Sequence, residues 1–166
     1  MILHLGVDDL PYSNAPSTPR RQGKVRKRKR PMKARKGSGA SSKTTGDVAE
    51  ILERKYGIMA FFADAHMPEI AHELEESIAG QLENVLMGRP PGKLNFNKAE
   101  SEIAVVFRNF LDAREMDNRV AGVPTAAALA GVNHRLKHPY RKSNPERSSF
   151  VDSGTYQAAF RAWMES

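Results

Sequence analysis

The chain has 166 residues, no cysteine and a formal net charge of +7, a length that fits about one domain of the usual ~100–200 residues. The missing thiols exclude a disulfide scaffold and any thiolate zinc centre. No apolar run nears the ~18–20 residues that would span a bilayer, and residues 1–5 are too few for the core of a secretory signal, so a protein soluble or assembled inside a cell is expected. The charge is unevenly placed: residues 1–46 hold twelve basic and two acidic side chains, a net +10, and residues 47–166 hold 14 basic and 17 acidic, a net −3. A mildly acidic domain therefore carries a strongly cationic segment.

Residues 1–12 begin apolar and β-compatible, then meet Gly6, Asp8, Asp9 and Pro11. A short strand ending near Leu10 is expected, and Pro11, which cannot donate to a ladder, suits a strand end or an edge; a loose terminus is the alternative. Residues 13–43 form an arm rich in Pro, Gly, Ser, Lys and Arg, with Val25, Met32 and Ala34 as its apolar interruptions between Arg20 and Lys36. Like charges and little apolar surface predict an extended segment in the free chain. Three readings stay open for it: a phosphate-binding arm, a nuclear import signal, or a solvated tail. Its cations, Arg20, Arg21, Lys24, Arg26, Lys27, Arg28, Lys29, Arg30, Lys33, Arg35 and Lys36, are candidate contacts to phosphates or to an acidic partner, because each neutralised phosphate releases a condensed counterion. Without aromatic side chains to stack on bases, such binding would ignore nucleotide sequence.

Asp47 with Glu50 resembles an N-cap and capping box, opening a helix that places Val48, Ile51, Leu52 and Tyr56 on one face and stops or bends at Gly57. The stretch 58–87 has no lysine or arginine and reads as the central helical element. Pro68 predicts a kink or restart at His66 and Met67. Beyond it Ile70, Leu74, Ile78, Leu82, Val85 and Leu86 recur at helical spacing, with Glu69, Glu73, Glu76 and Glu83 largely on other faces. Gly88 ends the helix, and residues 89–92, Arg-Pro-Pro-Gly, form a loop. Asn97, with Glu100 three residues on, is the expected cap of a helix whose Ile103, Val106, Phe107, Phe110 and Leu111 form a dense stripe. It should pack on 70–86 as a helical hairpin, with Ile70, Leu74, Ile78, Leu82, Ile103, Val106, Phe107 and Phe110 in one core.

Gly122-Val123-Pro124 breaks the chain, and residues 125–130 read as a short helix closed by Gly131. Residues 133–149 form a long basic loop carrying Arg135, Lys137, Arg141, Lys142 and Arg147 with Pro139 and Pro145, and such loops are often functional. Asp152 or Ser153 is the expected cap of a last helix with Tyr156, Phe160 and Trp163 on one side. The fold class expected from these elements is α+β and helix-dominated, with a helical-hairpin core, short terminal β segments and an extended basic N-terminal arm. It divides into a strand at 1–12, the arm at 13–43 and an assembly domain at 44–166.

Candidate chemistry is sparse. Glu69-Ile70-Ala71-His72 has the Glu-x-x-His spacing of di-iron bundles, but it occurs once, and an exposed polar face is the expected meaning. His134 and His138 have no cysteine or carboxylate pair to complete a metal shell and are read as surface or interface groups. No serine sits in a nucleophile elbow, and the glycines at 37–43 lack the spacing of a phosphate-binding loop. No catalytic residue, metal, cofactor, small-molecule ligand or membrane association is expected, and a non-enzymatic role follows.

Three blocks carry a family resemblance: LGVDDLPYS at 5–13, KTTGDVAEILERKYGIMAFF at 43–62, and residues 122–163. They resemble virion structural proteins of tailed bacteriophages. The last block is similar to the ending Arg-Pro-x-Phe-Ile-Asp-Thr-Gly-Leu-Tyr of neck, head–tail joining and tail-completion subunits; Phe150, Val151, Asp152, Gly154, Tyr156 and Phe160 match it, whereas Ser148, Ser153 and Thr155 depart. The resemblance covers roughly the whole chain except 15–42. It implies a structural subunit, without enzymatic activity, of a ring between capsid and tail tip (head–tail connector, tail terminator or tail completion protein), located in the virion and in host cytoplasm during assembly. Its partners would be further copies of itself, other virion subunits and packaged DNA. Arg135, Lys137, Arg141, Lys142, Asp152, Tyr156, Phe160 and Trp163 are then candidate assembly residues. The alternative is a sequence-independent nucleic-acid-binding protein acting through the basic arm.

Overall fold

In a computed structural model, residues 1–11, 43–90, 92–134 and 136–165 are described. The arm's eleven candidate cations and Arg135 lie outside them. The elements are strand β1 (Ile2–Val7), helices α1 (Thr45–Tyr56), α2 (Ile58–Ala65), α3 (Met67–Leu86), α4 (Asn97–Asp112), the single turns α5 (Ala126–Leu129) and α6 (Thr155–Ala158), and strand β2 (Phe160–Glu165). Helices dominate, and the two terminal strands form one antiparallel sheet in which Ile2 faces Glu165 and Val7 faces Phe160.

The expected N-terminal strand is present but ends at Val7 rather than near Leu10, and its exit is fixed. Thr45, fully buried, accepts a hydrogen bond on its hydroxyl from the Leu10 N–H at 2.7 Å and donates to the Asp8 carbonyl. The Thr45 N–H donates to the Leu10 carbonyl, and Pro11 bridges Thr44 in antiparallel fashion. The two ends of segment 12–43 are therefore held side by side.

Helix α1 starts three residues earlier than the expected cap. Thr44 is the N-cap, its hydroxyl accepting from the Asp47 N–H while the Asp47 carboxylate accepts from the Thr44 N–H; Asp47 is the third residue of the helix, where a carboxylate reaches back to the cap. Gly57 ends α1 in the left-handed region (φ 60°), and the chain restarts at Met67 with Pro68 in the first turn of α3, both as the punctuation predicts. Helix α4 also begins slightly off expectation. Phe96 occupies the cap position, and the Asn95 carboxamide takes the Asn97 N–H at 2.9 Å.

The core lies where α2, α3 and α4 meet β2. Ile58, Phe62, Ile70, Ile103, Phe107, Phe110, Tyr156 and Phe160 are buried in one cluster, with Leu74 and Val106 half-buried at its margin. Of the eight expected core residues, Ile78 and Leu82 are not covered: they are 45% and 58% exposed. The geometry of the helix explains this. At 3.6 residues per turn each i→i+4 step advances about 40°, so the row Ile70, Leu74, Ile78, Leu82 winds about 120° around α3. It starts against α4 and ends facing outward. Ser77 and Gln81 take its place on the inner side, and Gln81 bonds the Asn95 backbone in both directions, at 3.0 and 2.8 Å.

The C-terminal helix expected behind Asp152 or Ser153 is corrected to one turn and a strand. Gly154 (φ 83°) precedes α6 without a side-chain cap, and the chain then extends along β1. Phe160 and Ala162 are buried while Arg161 and Trp163 are exposed, the two-residue alternation of a strand with one covered face. Phe160 and Trp163 consequently stand on opposite faces rather than on one helix side.

Candidate assembly surfaces

The basic loop is built by short-range hydrogen bonds. Gly131 (φ 65°) turns it so closely that a Cβ there would stand 2.5 Å from the Asn144 carbonyl oxygen, and the Asn144 amide donates to the carbonyls of His138 and Pro139, both at 3.0 Å. Arg147 is a staple rather than a surface cation. Its side chain is 11% exposed, and its guanidinium donates to the carbonyls of Val132, Ser148 and Ser149. Five donors in a rigid fork suit it to collecting several carbonyls at once.

Asp152 closes the other side. Its carboxylate accepts from the His134 N–H at 2.8 Å and meets His134 Nδ1 at 2.5 Å, while His134 Nε2 lies 3.0 Å from the Tyr140 hydroxyl. A carboxylate can only accept, so Nδ1 carries a proton; in the neutral ring Nε2 then accepts the Tyr140 O–H. This line of acid, imidazole and phenol clamps the loop. What the clamp presents to solvent is Leu136 (41% exposed), Tyr140 (73% exposed) and the exposed cations Lys137, Arg141 and Lys142, which form no ion pair among the described residues.

The second surface is the distal half of α3. Ile78, Leu82, Val85, Leu86 and Met87 are all exposed, and Leu94 in the following loop joins them. A groove of about 500 Å³ lies between this stripe and residues 89, 90 and 92–95, with Arg89 and Lys93 in its lining. Glu75 and Glu83 stand exposed beside the stripe. Glu76 is engaged: Lys98 Nζ lies 2.9 Å from its carboxylate, and that hydrogen bond, followed by the lysine's charge, holds the Glu76 carboxyl below the usual carboxylate range and raises Lys98 above the ordinary ammonium value.

On the outer face of the sheet Trp163 stacks on His4 (5.3 Å between centroids, 13° between planes) and lies over Gly6, where a Cβ would meet its ring at 3.0 Å. Arg161 Nε pairs with Asp8 at 2.7 Å, a contact that raises the arginine's pKa.

The candidate assembly residues thus separate. Lys137, Arg141 and Lys142 sit together on the clamped loop that Asp152 holds; Trp163 is half-exposed on the sheet; Tyr156 and Phe160 are buried inside the chain. Glu69 and His72, the Glu-x-x-His pair, turn to different partners, His66 at 3.7 Å and Glu76 at 3.5 Å. Among the described residues no group of three or more His, Asp and Glu is placed to hold a metal ion, and no helix is long and apolar enough to cross a membrane. The α3 surface was visible to sequence reasoning as an apolar period but assigned to the core. Comparison with protein-family models, curated proteins and solved structures returns no match for this chain.

Proposed function

We propose that the chain is a non-enzymatic structural subunit that assembles with copies of itself into a ring in the neck or tail of a tailed bacteriophage. The observation that carries the reading is the distal half of α3, a helix that runs past its own core with an apolar face uncovered. Contiguous exposed apolar surface of this kind marks interaction sites, and a helix face with anchors at i, i+4 and i+7 suits packing against a partner. The resemblance of residues 5–13, 43–62 and 122–163 to virion subunits supports placing that partner in a particle. Head-to-tail contacts between identical chains close into rings when the rotation permits.

Mass photometry and negative-stain microscopy of the purified chain provide the test, together with mass spectrometry of purified particles. A closed oligomer with ring views, and a fixed copy number per particle, are expected. A chain that stays monomeric at high concentration and is missing from particles would overturn the reading. The second reading, nucleic-acid binding through the basic arm, is favoured by the net +10 of residues 1–46.

A further inference from the structure

Resting on the self-assembly reading above, we infer that the uncovered face of α3 receives the clamped basic loop of the next copy, with Leu136 and Tyr140 of one subunit against Ile78, Leu82 and Val85 of its neighbour. Three observations lead there. The first is complementarity. The α3 stripe is apolar and bordered by Glu75 and Glu83, within a stretch, 56–88, that has no lysine or arginine; the loop offers two exposed apolar side chains interleaved with Lys137, Arg141 and Lys142. Opposite charges around an apolar centre fix register and exclude wrong partners.

The second is placement. The stripe lies at the start of α4, where Gln81 bonds Asn95, and the loop is fastened to its end, where the Ser148 hydroxyl donates to the Leu111 carbonyl at 2.5 Å and Arg114 donates to the Glu146 carbonyl at 3.0 Å. The sixteen residues of α4, about 24 Å of helix, separate the two points of attachment. One chain cannot bring them together, so the contact joins two copies and leaves a free surface of each kind at the ends, which is the condition for a ring.

The third is the choice between occupants within the chain. The arm shares the loop's positive charge but offers Val25, Met32 and Ala34 as its apolar residues between Arg20 and Lys36, and no aromatic. Tyr140 gives the loop an aromatic anchor of the type that dominates interface energetics. Because the clamp to His134 already holds the tyrosine's hydroxyl, its ring is presented with little ordering left to do on binding. Arg89 and Lys93 also line the groove and repel the loop's cations, which leaves Glu75 and Glu83 as the groups those cations meet.

The test uses two full-length variants, Leu82→Asp on the stripe and Tyr140→Asp on the loop, each checked by circular dichroism for an unchanged fold. Each variant alone is expected to lose self-association by roughly tenfold or more, as loss of a central anchor does. Mixed, they should form a one-to-one dimer and stop there, because one intact stripe and one intact loop remain between them. Wild-type oligomers together with an equally associating Tyr140→Asp chain would overturn this contact while leaving the ring reading standing. Failure of the mixture to pair would overturn it as well. A wild-type chain that remains monomeric would overturn the ring reading and the contact with it.

Discussion

Phe107 meets aromatic rings from three other elements: Phe160 of β2 stacked at 3.9 Å, Phe62 of α2 edge-on at 5.1 Å, and Tyr156 of α6 at 6.1 Å. The residue is wholly buried, and it joins rings from α2, α6 and β2 in one cluster, in which Phe62 also meets Phe160 edge-on at 6.0 Å. Replacing it by alanine removes the burial free energy of the ring and leaves a cavity that stacked neighbours fill poorly, a loss of about 3–5 kcal/mol. That is a large share of the ~5–15 kcal/mol that holds a domain together. Urea unfolding of Phe107→Ala should show the midpoint falling accordingly, and an unchanged midpoint would contradict the packing. Thr45 shows a different logic at the same scale. A buried hydroxyl keeps its place because it both donates and accepts, to Asp8 and from Leu10, and so ties the N-terminal strand to the first helix.

At the level of elements, the sequence's period and punctuation were readable where they act locally. Gly57, Pro68 and Gly131 stop or restart the chain because left-handed backbone and a missing N–H are properties of single residues. The stripe of α4 was readable because Ile103, Phe107 and Phe110 stay on one face for the whole contact. Two readings failed. Ile78 and Leu82 continue the i→i+4 row of Ile70 and Leu74, but that row drifts about 40° a step and leaves the face that α4 covers. Residues 160–165 have a helical aromatic spacing and a strand-like alternation at once, and the open edge of β1 decides between them. The Lys98–Glu76 pair, between α3 and α4, gives the hairpin a measurable pH signature. The Glu76 carboxyl is lowered by Lys98, so its contribution to stability is fully present above the ordinary carboxylate range and is lost as pH falls through the lowered value. Lys98 is raised, so its contribution is present below the ordinary ammonium range and is lost as pH rises through the raised value. Glu76→Gln should therefore flatten both limbs of the stability profile while changing the middle slightly, since exposed pairs are weak and screened by salt. Unfolding midpoints of wild type and variant that run parallel from acid to alkaline pH would show that the pair contributes nothing.

For the whole molecule, the question is what the cationic segment does, and the fold supplies a clean way to ask. Pro11 and Thr44 are bridged in antiparallel register, so deleting residues 15–43 leaves Tyr12, Ser13 and Asn14 to connect them, the length of a common three-residue hairpin loop. The shortened chain should keep β1 on β2 and α1 on its cap. It also loses all twelve basic side chains of residues 1–46, whose net charge falls from +10 to −2, and keeps the mildly acidic remainder, so a difference between the two proteins reports on the arm's charge and not on a damaged core. If the arm meets packaged or transiting DNA, the full chain should bind duplexes of unrelated sequence equally. Its affinity should then fall with salt at a log–log slope of about 0.9 per phosphate neutralised, and the deletion should abolish that slope. If the arm instead lies on an acidic protein surface of a neighbouring copy, the two chains should bind DNA alike and the deletion should weaken association between subunits. Fluorescence anisotropy over a salt series, run beside mass photometry of both proteins, separates the two outcomes. Equal DNA affinity of the full and shortened chains would exclude the nucleic-acid reading of the arm, and equal assembly would exclude the tether.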